Sequence, residues 1–151
     1  MRFRACVVGK PRDAALAAAI ADYEGRASRY WPLDVHEIKA VKSGNPAAVQ
    51  RAESDQLAEA AGGAVLVLCD ENGRAYTSRA FADWLQAQRE AARDVAFVIG
   101  GAFGVSVKLR QRADRLLSLA PWTLPHELAR LVLAEQLYRA GTILKGEPYH
   151  K

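Results

Sequence analysis

Runs of apolar residues alternate along the chain with segments whose apolar positions repeat at helical spacing. Ala64–Cys69 and Val95–Ile99 are almost continuously apolar, which is typical of strands covered on both faces. Leu33–Ile38 alternates apolar and polar residues and predicts a half-buried edge strand. The other predicted elements are a strand at Phe3–Gly9 and helices at Ala14–Arg29, 46–61, from a capping Ser78 onward, near 105–118 and at 126–141. This alternation predicts a single α/β domain over 1–151, with a mostly parallel sheet and helices on both faces.

The helix predicted at 126–141 has apolar residues on two sides. One row consists of Leu128, Leu131, Glu135 and Tyr138, and the other consists of Leu133, Leu137 and Ala140. A helix of this kind packs against the sheet and also against something else. The second contact is either another part of the same core or a second subunit, and we favour the subunit.

Composition narrows the class of protein. The chain has 151 residues, half of them hydrophobic and a quarter charged, as in a globular domain with a substantial core. No apolar run approaches the roughly 20 residues that cross a membrane, and the apolar stretch near Met1 is too short for a signal peptide. Cys6 and Cys69 show no metal-ligand spacing, so we expect reduced, buried thiols, no metal and a cytoplasmic location.

The net charge of +4 arises in the last third of the chain. Residues 1–101 contain 13 Lys/Arg and 13 Asp/Glu, whereas residues 102–151 contain 8 and 4. Lys108, Arg112 and Arg115 recur at helical spacing, which places them on one face of the predicted helix. Such a row is either a solvated helix face or a surface for a phosphate backbone. The excess is modest, so tight binding of nucleic acid does not follow from it.

Ligands of parallel α/β sheets bind at the carboxyl ends of the strands, where three loops stand out in this chain. They follow Cys69 and Ile99 and occupy 119–125. The paired glycines Gly100-Gly101 let backbone approach a ligand closely, and the third loop, braced by prolines, offers fixed amides and carbonyls to a flat, uncharged ring system. The GGxxG pattern has no acidic residue suitably placed for a ribose, so dinucleotide binding is not supported.

The three histidines are widely separated, and the sequence has no metal-binding pair, P-loop or GxSxG elbow. His36 alternates with apolar residues, as an edge-strand histidine does, and His126 begins a helix, where it caps or packs. His150 stands between Tyr149 and Lys151 at the end of the chain and has no simple structural explanation. The tail is therefore the candidate for reactive chemistry beside a small-molecule pocket.

Five stretches carry specific motifs: 68–73 (LCDENG), 99–106 (IGGAFGVS), 119–126 (LAPWTLPH), 131–140 (LVLAEQLYRA) and 146–151 (GEPYHK). Together with Val7-Val8-Gly9-Lys10, they make the chain resemble the RlmH (YbeA-like) family of the SPOUT methyltransferase superfamily from end to end. The chain departs from that pattern at Ala102-Phe103, where many members have proline, and at Pro121-Trp122, where smaller residues are common. Both departures lie in loops, and neither removes a group that must donate or accept a proton.

The resemblance implies a fold and a cofactor that periodicity alone does not reveal. SPOUT proteins thread their C-terminal segment through a loop, and the resulting trefoil knot, a rare feature, forms the S-adenosylmethionine pocket. By this analogy the cofactor is held, mostly through backbone groups, by Leu68, Gly100, Gly101, Leu119, Ala120, Pro121, Trp122, Thr123 and Leu124. The family also implies a homodimer that methylates N3 of a pseudouridine in a 23S rRNA stem-loop, within the large subunit or the assembled ribosome.

Methylation at N3 requires the loss of a weakly acidic proton, which a side chain of matched pKa could accept. His150 is the candidate acceptor, Tyr149 the residue that stacks on or orients the base, and Arg139 and Lys151 the cationic groups. Positioning alone could also supply most of the acceleration. Two other functions stay open: an RNA-binding module without activity, and an α/β enzyme with another nucleotide cofactor.

Overall fold

Five parallel strands form one sheet in the computed structural model, in the order β2-β1-β4-β3-β5. The structure describes residues 1–150, apart from the side chain of His150. The elements are β1 (Phe3–Val8), α1 (Ala14–Ala27), β2 (Leu33–Ile38), α2 (Pro46–Ala61), β3 (Val65–Ala75), α3 (Ser78–Glu90), β4 (Val95–Val98), α4 (Val107–Arg112), β5 (Arg115–Ser118), α5 (His126–Leu144) and a 3₁₀ turn at Pro148–His150. The predicted α/β fold with a parallel sheet is confirmed.

Helices cover both faces of the sheet, as predicted. Helices α1, α3 and α5 pack on one face, where Phe3, Phe97 and Leu133 belong to a shared apolar cluster. Helices α2 and α4 pack on the other face around a second cluster that includes Leu66 and Leu68. All four residues of β4 are buried, because this strand lies between β1 and β3 and under helices on both sides. Each fully buried large side chain contributes about 1.5–3 kcal/mol, so the two clusters hold the sheet firmly.

The helix predicted near 105–118 is wrong in its second half. Helix α4 ends at Arg112, and the next residues form β5, which pairs in parallel with β3. Asp114 ties this turn to the sheet: its N–H donates to the Leu66 carbonyl, and its carboxylate accepts from the Leu66 N–H at 2.8 Å. These paired bonds start the β5 ladder one residue before Arg115.

The basic row predicted on that helix is therefore wrong for Arg115, and only Lys108 and Arg112 lie on α4. Arg115 lies in β5, where its guanidinium hydrogen-bonds to the hydroxyl of Tyr76. Arg112 donates to the carbonyl of Ala58 at 3.0 Å, so its charge helps to close the end of α2. Lys108 is exposed on α4. The three cations thus point to three different surroundings and form no continuous stripe.

Two predicted helix boundaries also need correction. The N-cap of α3 is Thr77, whose hydroxyl accepts from the Ala80 N–H at 3.0 Å, and Ser78 is the first helical residue. The Ser78 hydroxyl instead donates to the Gln136 side chain of α5 at 2.7 Å. Helix α5 continues to Leu144, beyond the predicted end at 141.

Helix α5 packs against α1 and α3 through its inner side. Leu133 and Leu137 are each 1% exposed, so this row faces the core of the chain itself. Leu128, Leu131 and Val132 lie on the outer side, are half-buried, and belong to neither apolar cluster among the described residues. The outer side is therefore the one available to another molecule. Within residues 1–150, neither α5 nor any other helix is long and apolar enough to cross a membrane.

Candidate active site

A cleft of about 650 Å³ lies at the carboxyl edge of the sheet. Phe3, Val95 and Val65 are neighbours in the strand register. The strands β1, β4 and β3 therefore start at the same level and run in parallel towards this edge. Its walls come from the loops after β3, β4 and β5 and from the start of α5; the lining residues are 69–72, 99–102, 104–105, 110, 119–120, 122–126 and 129. All three loops predicted from the sequence meet here, and the volume is that of a small-molecule site.

The first turn of α5 fills the neighbouring crevice between β1 and β4. His126 and Arg130 pack there against residues 7–11, and no side-chain cap bond is made at this helix start. Arg130 is 7% exposed and pairs with Glu24 of α1 at 2.8 Å and with Glu37 of β2 at 2.7 Å. This double ion pair fixes the start of α5 against two other elements. The cleft is consequently confined to the side of β4 that faces β3 and β5.

One face of α2 holds the glycine loop that follows β4. The Gln50 amide donates to the Phe103 carbonyl at 2.8 Å, and the Ser54 hydroxyl accepts from the Ser106 N–H at 2.8 Å. Gln50 and Ser54 lie one helical turn apart, so both face the loop. The wall of the cleft is thus supported from the opposite face of the sheet.

The second glycine of the pair, Gly101, is required by α2. Glu53 is 4% exposed and accepts from the Val41 N–H at 3.1 Å, which fixes its carboxylate against the loop. A Cβ added to Gly101 would lie 2.6 Å from Glu53 Oε1. Close approach of a ligand at Gly101 stays a prediction, and Glu53 is a second reason for a glycine at this position.

The 119–125 loop is also held in place by hydrogen bonds. The Ser118 hydroxyl donates to the Ala120 carbonyl at 2.8 Å, and the Thr123 hydroxyl donates to the Glu71 carboxylate of the loop after β3. Pro121 fixes its own φ between these two anchors. The backbone that borders the cleft is therefore ordered before any ligand binds.

Charged and sulfur-containing side chains that the sequence analysis did not assign to the site also line the cleft. Asp70, with a side chain 8% exposed, forms an ion pair with Arg110 of α4. Burial raises the pKa of the neighbouring Cys69 thiol to about 12, so this thiol stays protonated at neutral pH. The signal in the sequence was the Asp70-Glu71 pair directly after the apolar run of β3.

The predicted cofactor residues mostly meet at the cleft. Those that line it are Gly100, Gly101, Leu119, Ala120, Trp122, Thr123 and Leu124. Leu68 is 1% exposed and packs into the cluster beneath α2 and α4, and Pro121 is not among the lining residues. Direct roles in cofactor binding stay predictions for all nine residues.

The predicted catalytic residues gather near the other end of α5. Arg139 pairs with Glu135 at 2.5 Å, and its guanidinium lies 5.0 Å from the centroid of the Tyr149 ring. The Tyr149 hydroxyl donates to Glu135 at 3.1 Å, and its ring packs on Tyr138 with centroids 4.6 Å apart. Burial, followed by the bonds to Tyr23 and Glu135, raises the pKa of Tyr149. Glu135, which the sequence analysis treated only as part of a helix row, is the centre of this cluster.

Within one chain this cluster does not meet the cleft. Arg139 lies ten residues after Ala129, the last residue that lines the cleft, which corresponds to about 15 Å along the helix axis. The side chain of His150 and all of Lys151, the other predicted catalytic groups, lie outside the described residues. One protomer therefore presents the cleft and the Tyr149–Arg139 cluster as two separate sites.

A family model described as "Predicted SPOUT methyltransferase" matches residues 1–150. A relative from Gemmatimonas aurantiaca, named Ribosomal RNA large subunit methyltransferase H, is 59% identical over 154 residues and aligns over 100% of both chains. The chain belongs to the RlmH family of SPOUT methyltransferases. Another RlmH relative, from Anaeromyxobacter sp., is 44% identical over 153 residues, again with 100% of both chains covered.

Solved structures show the same fold as this RlmH-family protein. A probable methylase family protein from Haemophilus influenzae superposes with a TM-score of 0.60 at 13% identity, covering 99% of this chain and 70% of that one. A probable methyltransferase from Bordetella pertussis gives a TM-score of 0.56 at 16% identity, covering 93% and 94%. At these identities the likeness concerns the fold alone.

This RlmH-family methyltransferase uses S-adenosylmethionine, the methyl donor of SPOUT enzymes. The cofactor supplies an electrophilic methyl group when bound. The residues of the cleft fit it: the ordered backbone of 119–124 and the loop at Gly100 offer amides and carbonyls, and apolar side chains such as Leu119 and Leu124 accept a flat ring. Asp70 and Arg110 add one paired charge of each sign at the same wall.

Proposed function

We propose that this methyltransferase methylates N3 of a pseudouridine in 23S rRNA, on the large subunit or the assembled ribosome in the cytoplasm. The observation that carries the proposal is the full-length, 59% identity to a relative named for methylation of large-subunit ribosomal RNA. The ribosomal particle would present much of the surface that the substrate needs. Loss of the N3 proton is the chemical step that the side chains must assist.

The tail residues suit different parts of that step. His150 would be the proton acceptor, because imidazole is the side chain most often used for proton transfer near neutral pH. The raised pKa of Tyr149 keeps its phenol protonated, so Tyr149 would orient the base by stacking or by donating a hydrogen bond. Arg139 and Lys151 would stabilise the anion that forms when the proton leaves.

A second subunit would bring these residues to the cleft. Two α5 helices packed with opposite directions around a two-fold axis place the C-terminal end of one beside the N-terminal end of the other. Leu128, Leu131 and Val132 provide an outward apolar stripe for that contact. The proposed active site therefore combines the cleft of one subunit with the tail of the other. The homodimer predicted from the sequence becomes a requirement for catalysis in this arrangement.

The path of the chain favours the trefoil knot expected of the family. Residues 119–125 leave β5 at one edge of the sheet, border the cleft after β3 and β4, and deliver α5 to the crevice beside β1. The chain then continues between α1 and α3 on the opposite face from α4. We infer that this crossing is threaded through the loops of the cleft, which would explain why the cofactor site is built from three loops at once.

Transfer of a labelled methyl group from S-adenosylmethionine to purified large subunits tests the function. The subunits should come from cells that lack this protein, and digestion to nucleosides should recover the label in N3-methylpseudouridine. Ala120→Phe adds bulk to the wall of the cleft and should abolish both cofactor binding and transfer, whereas the matched Ala120→Gly should keep both. Cofactor binding without transfer to any RNA would favour an inactive RNA-binding module instead.

A further inference from the structure

Trp122 is the most exposed large apolar side chain among the described residues. Its relative exposure is 79%, whereas Trp31 is 1% exposed and Trp84 is partly buried against the core. Large aromatic side chains stabilise a fold by the area that they bury, so this indole contributes little to folding. Trp122 nevertheless borders the cofactor cleft. Its position points to contact with something that approaches the cleft from outside.

The indole is carried on a fixed segment. Pro121 precedes it, and the Thr123 hydroxyl that follows it donates to Glu71 of the loop after β3. An exposed ring on a mobile loop would lose entropy on binding, whereas a ring on an ordered segment is pre-organised for a partner. Trp122 therefore lines the cleft while most of its surface stays in contact with solvent.

The surroundings of the ring suit a nucleobase with its phosphate. The Arg110 side chain of α4 lines the same cleft, is 44% exposed and is paired with Asp70. The Glu71 carboxylate accepts from the Thr123 hydroxyl. Proteins hold unpaired bases by stacking them on exposed aromatic rings, with cations attracting the phosphate, and Trp122 supplies such a ring at this cleft.

We propose that Trp122 stacks on an unpaired base of the RNA substrate next to the target nucleotide and so positions that nucleotide over the cleft. The proposal rests on the RNA substrate proposed above. In this proposal the backbone of Trp122 would border the cofactor, as predicted from the sequence, and the side chain would hold the RNA.

Three variants of the full-length protein test the contact: Trp122→Ala, Trp122→Leu and Trp122→Phe. Methyl transfer to large subunits from cells lacking the protein should show a rise in KM for the subunits of roughly five- to hundredfold for the Ala and Leu variants, as expected for loss of one stacked base. The Phe variant should recover most of the wild-type KM, because it keeps an aromatic plane. Affinity for S-adenosylhomocysteine and the sedimentation coefficient should stay unchanged in all three.

Quenching of tryptophan fluorescence by an oligouridylate gives a second readout. The wild type should be quenched, and the Phe variant, which keeps Trp31 and Trp84, should not. Three results would overturn the proposal. A Trp122→Leu variant that behaves as the wild type would show that the ring only fills apolar space. A Trp122→Ala variant that binds S-adenosylhomocysteine more weakly would assign the ring to the cofactor, and one with altered sedimentation would assign it to the subunit interface. Wild-type protein that methylates no RNA would instead overturn the proposed function, independently of these variants.

Discussion

Single residues near the sheet and the cleft are fixed mostly by neighbours that are remote in the sequence. Gly101 is the clearest case, because the atom that a Cβ would meet belongs to Glu53, 48 positions upstream. The local sequence indicated a close approach at this glycine but could not reveal that Glu53 also requires it. For Trp122 the local sequence gave no such indication. The residues around it are apolar, yet its ring is exposed to solvent.

Cys6 in β1 provides a prediction at this scale. The thiol is fully buried, and burial raises its pKa to about 11, above the roughly 8.5 of an unfolded cysteine. A raised folded pKa means that the stability from the neutral thiol is complete below about pH 8.5 and is lost as the pH rises towards 11. In that window the free energy of unfolding should fall by up to about 1.4 kcal/mol per pH unit from this group.

Cys6→Ala should therefore flatten the alkaline limb of the stability profile, measured by urea unfolding between pH 8 and pH 11. The two proteins are compared by the slope of unfolding free energy against pH. A pH-independent loss of stability caused by the smaller side chain therefore does not affect the comparison. Parallel profiles for the two proteins would show that the Cys6 thiol does not resist ionisation in the folded state.

At the scale of elements, the buried strands were predictable and β5 was not. Val65–Cys69 and Val95–Val98 are continuous apolar runs, so their burial under two helical layers could be inferred directly. Arg115–Ser118 is only four residues long and follows basic residues at helical spacing, and its ladder partner lies about 50 positions earlier in β3. A strand of that length is defined by its pairing, which local periodicity cannot reveal.

The contact between α5 and Tyr30, which lies in the segment between α1 and β2, gives a prediction for elements. A Cβ on Gly141 of α5 would lie 2.3 Å from Cγ of Tyr30, so Gly141→Ala should lower the free energy of unfolding by about 1–3 kcal/mol despite its better helix propensity. Gly25 of α1 has open space around it, and the matched Gly25→Ala should raise stability by about 0.5–1 kcal/mol. Urea denaturation of both variants measures the difference. Equal, positive changes would mean that α5 and Tyr30 do not approach so closely.

At the scale of the whole molecule, the cleft could be predicted and its relation to the tail could not. The three loops follow from strand order, because the carboxyl ends of parallel strands meet at one edge. The separation of the cleft from Arg139 and Tyr149 depends on the length and direction of α5 within the fold, which no motif encodes. Sequence motifs therefore predicted the cleft residues and the tail residues without indicating that the cleft and Arg139 lie about 15 Å apart in one chain.

Complementation between two inactive variants tests the proposed two-subunit site. One variant carries Ala120→Phe in the cleft, and the other lacks residues 149–151. Each alone should lose methyl transfer by at least tenfold. A mixed dimer contains one site with an intact cleft and an intact tail from different subunits, so co-expression should restore transfer.

Adding Leu131→Arg to both variants supplies the control, because a charge on the outer stripe of α5 should prevent dimerisation while leaving the inner core intact. Leu137→Asp is unsuitable for this purpose, since Leu137 is buried in the chain's own core and the change would unfold the protomer. Mixed dimers that form but stay inactive would place the cleft and the tail of one subunit in the same site.

The most direct measurement is nucleoside mass spectrometry of 23S rRNA from cells with and without this protein. We predict that one N3-methylpseudouridine is lost when the gene is deleted, that it returns with the wild-type chain, and that it does not return with Ala120→Phe. Unchanged 23S rRNA in the deletion strain, or a lost methyl group in transfer RNA or in the small-subunit RNA, would contradict the proposed function.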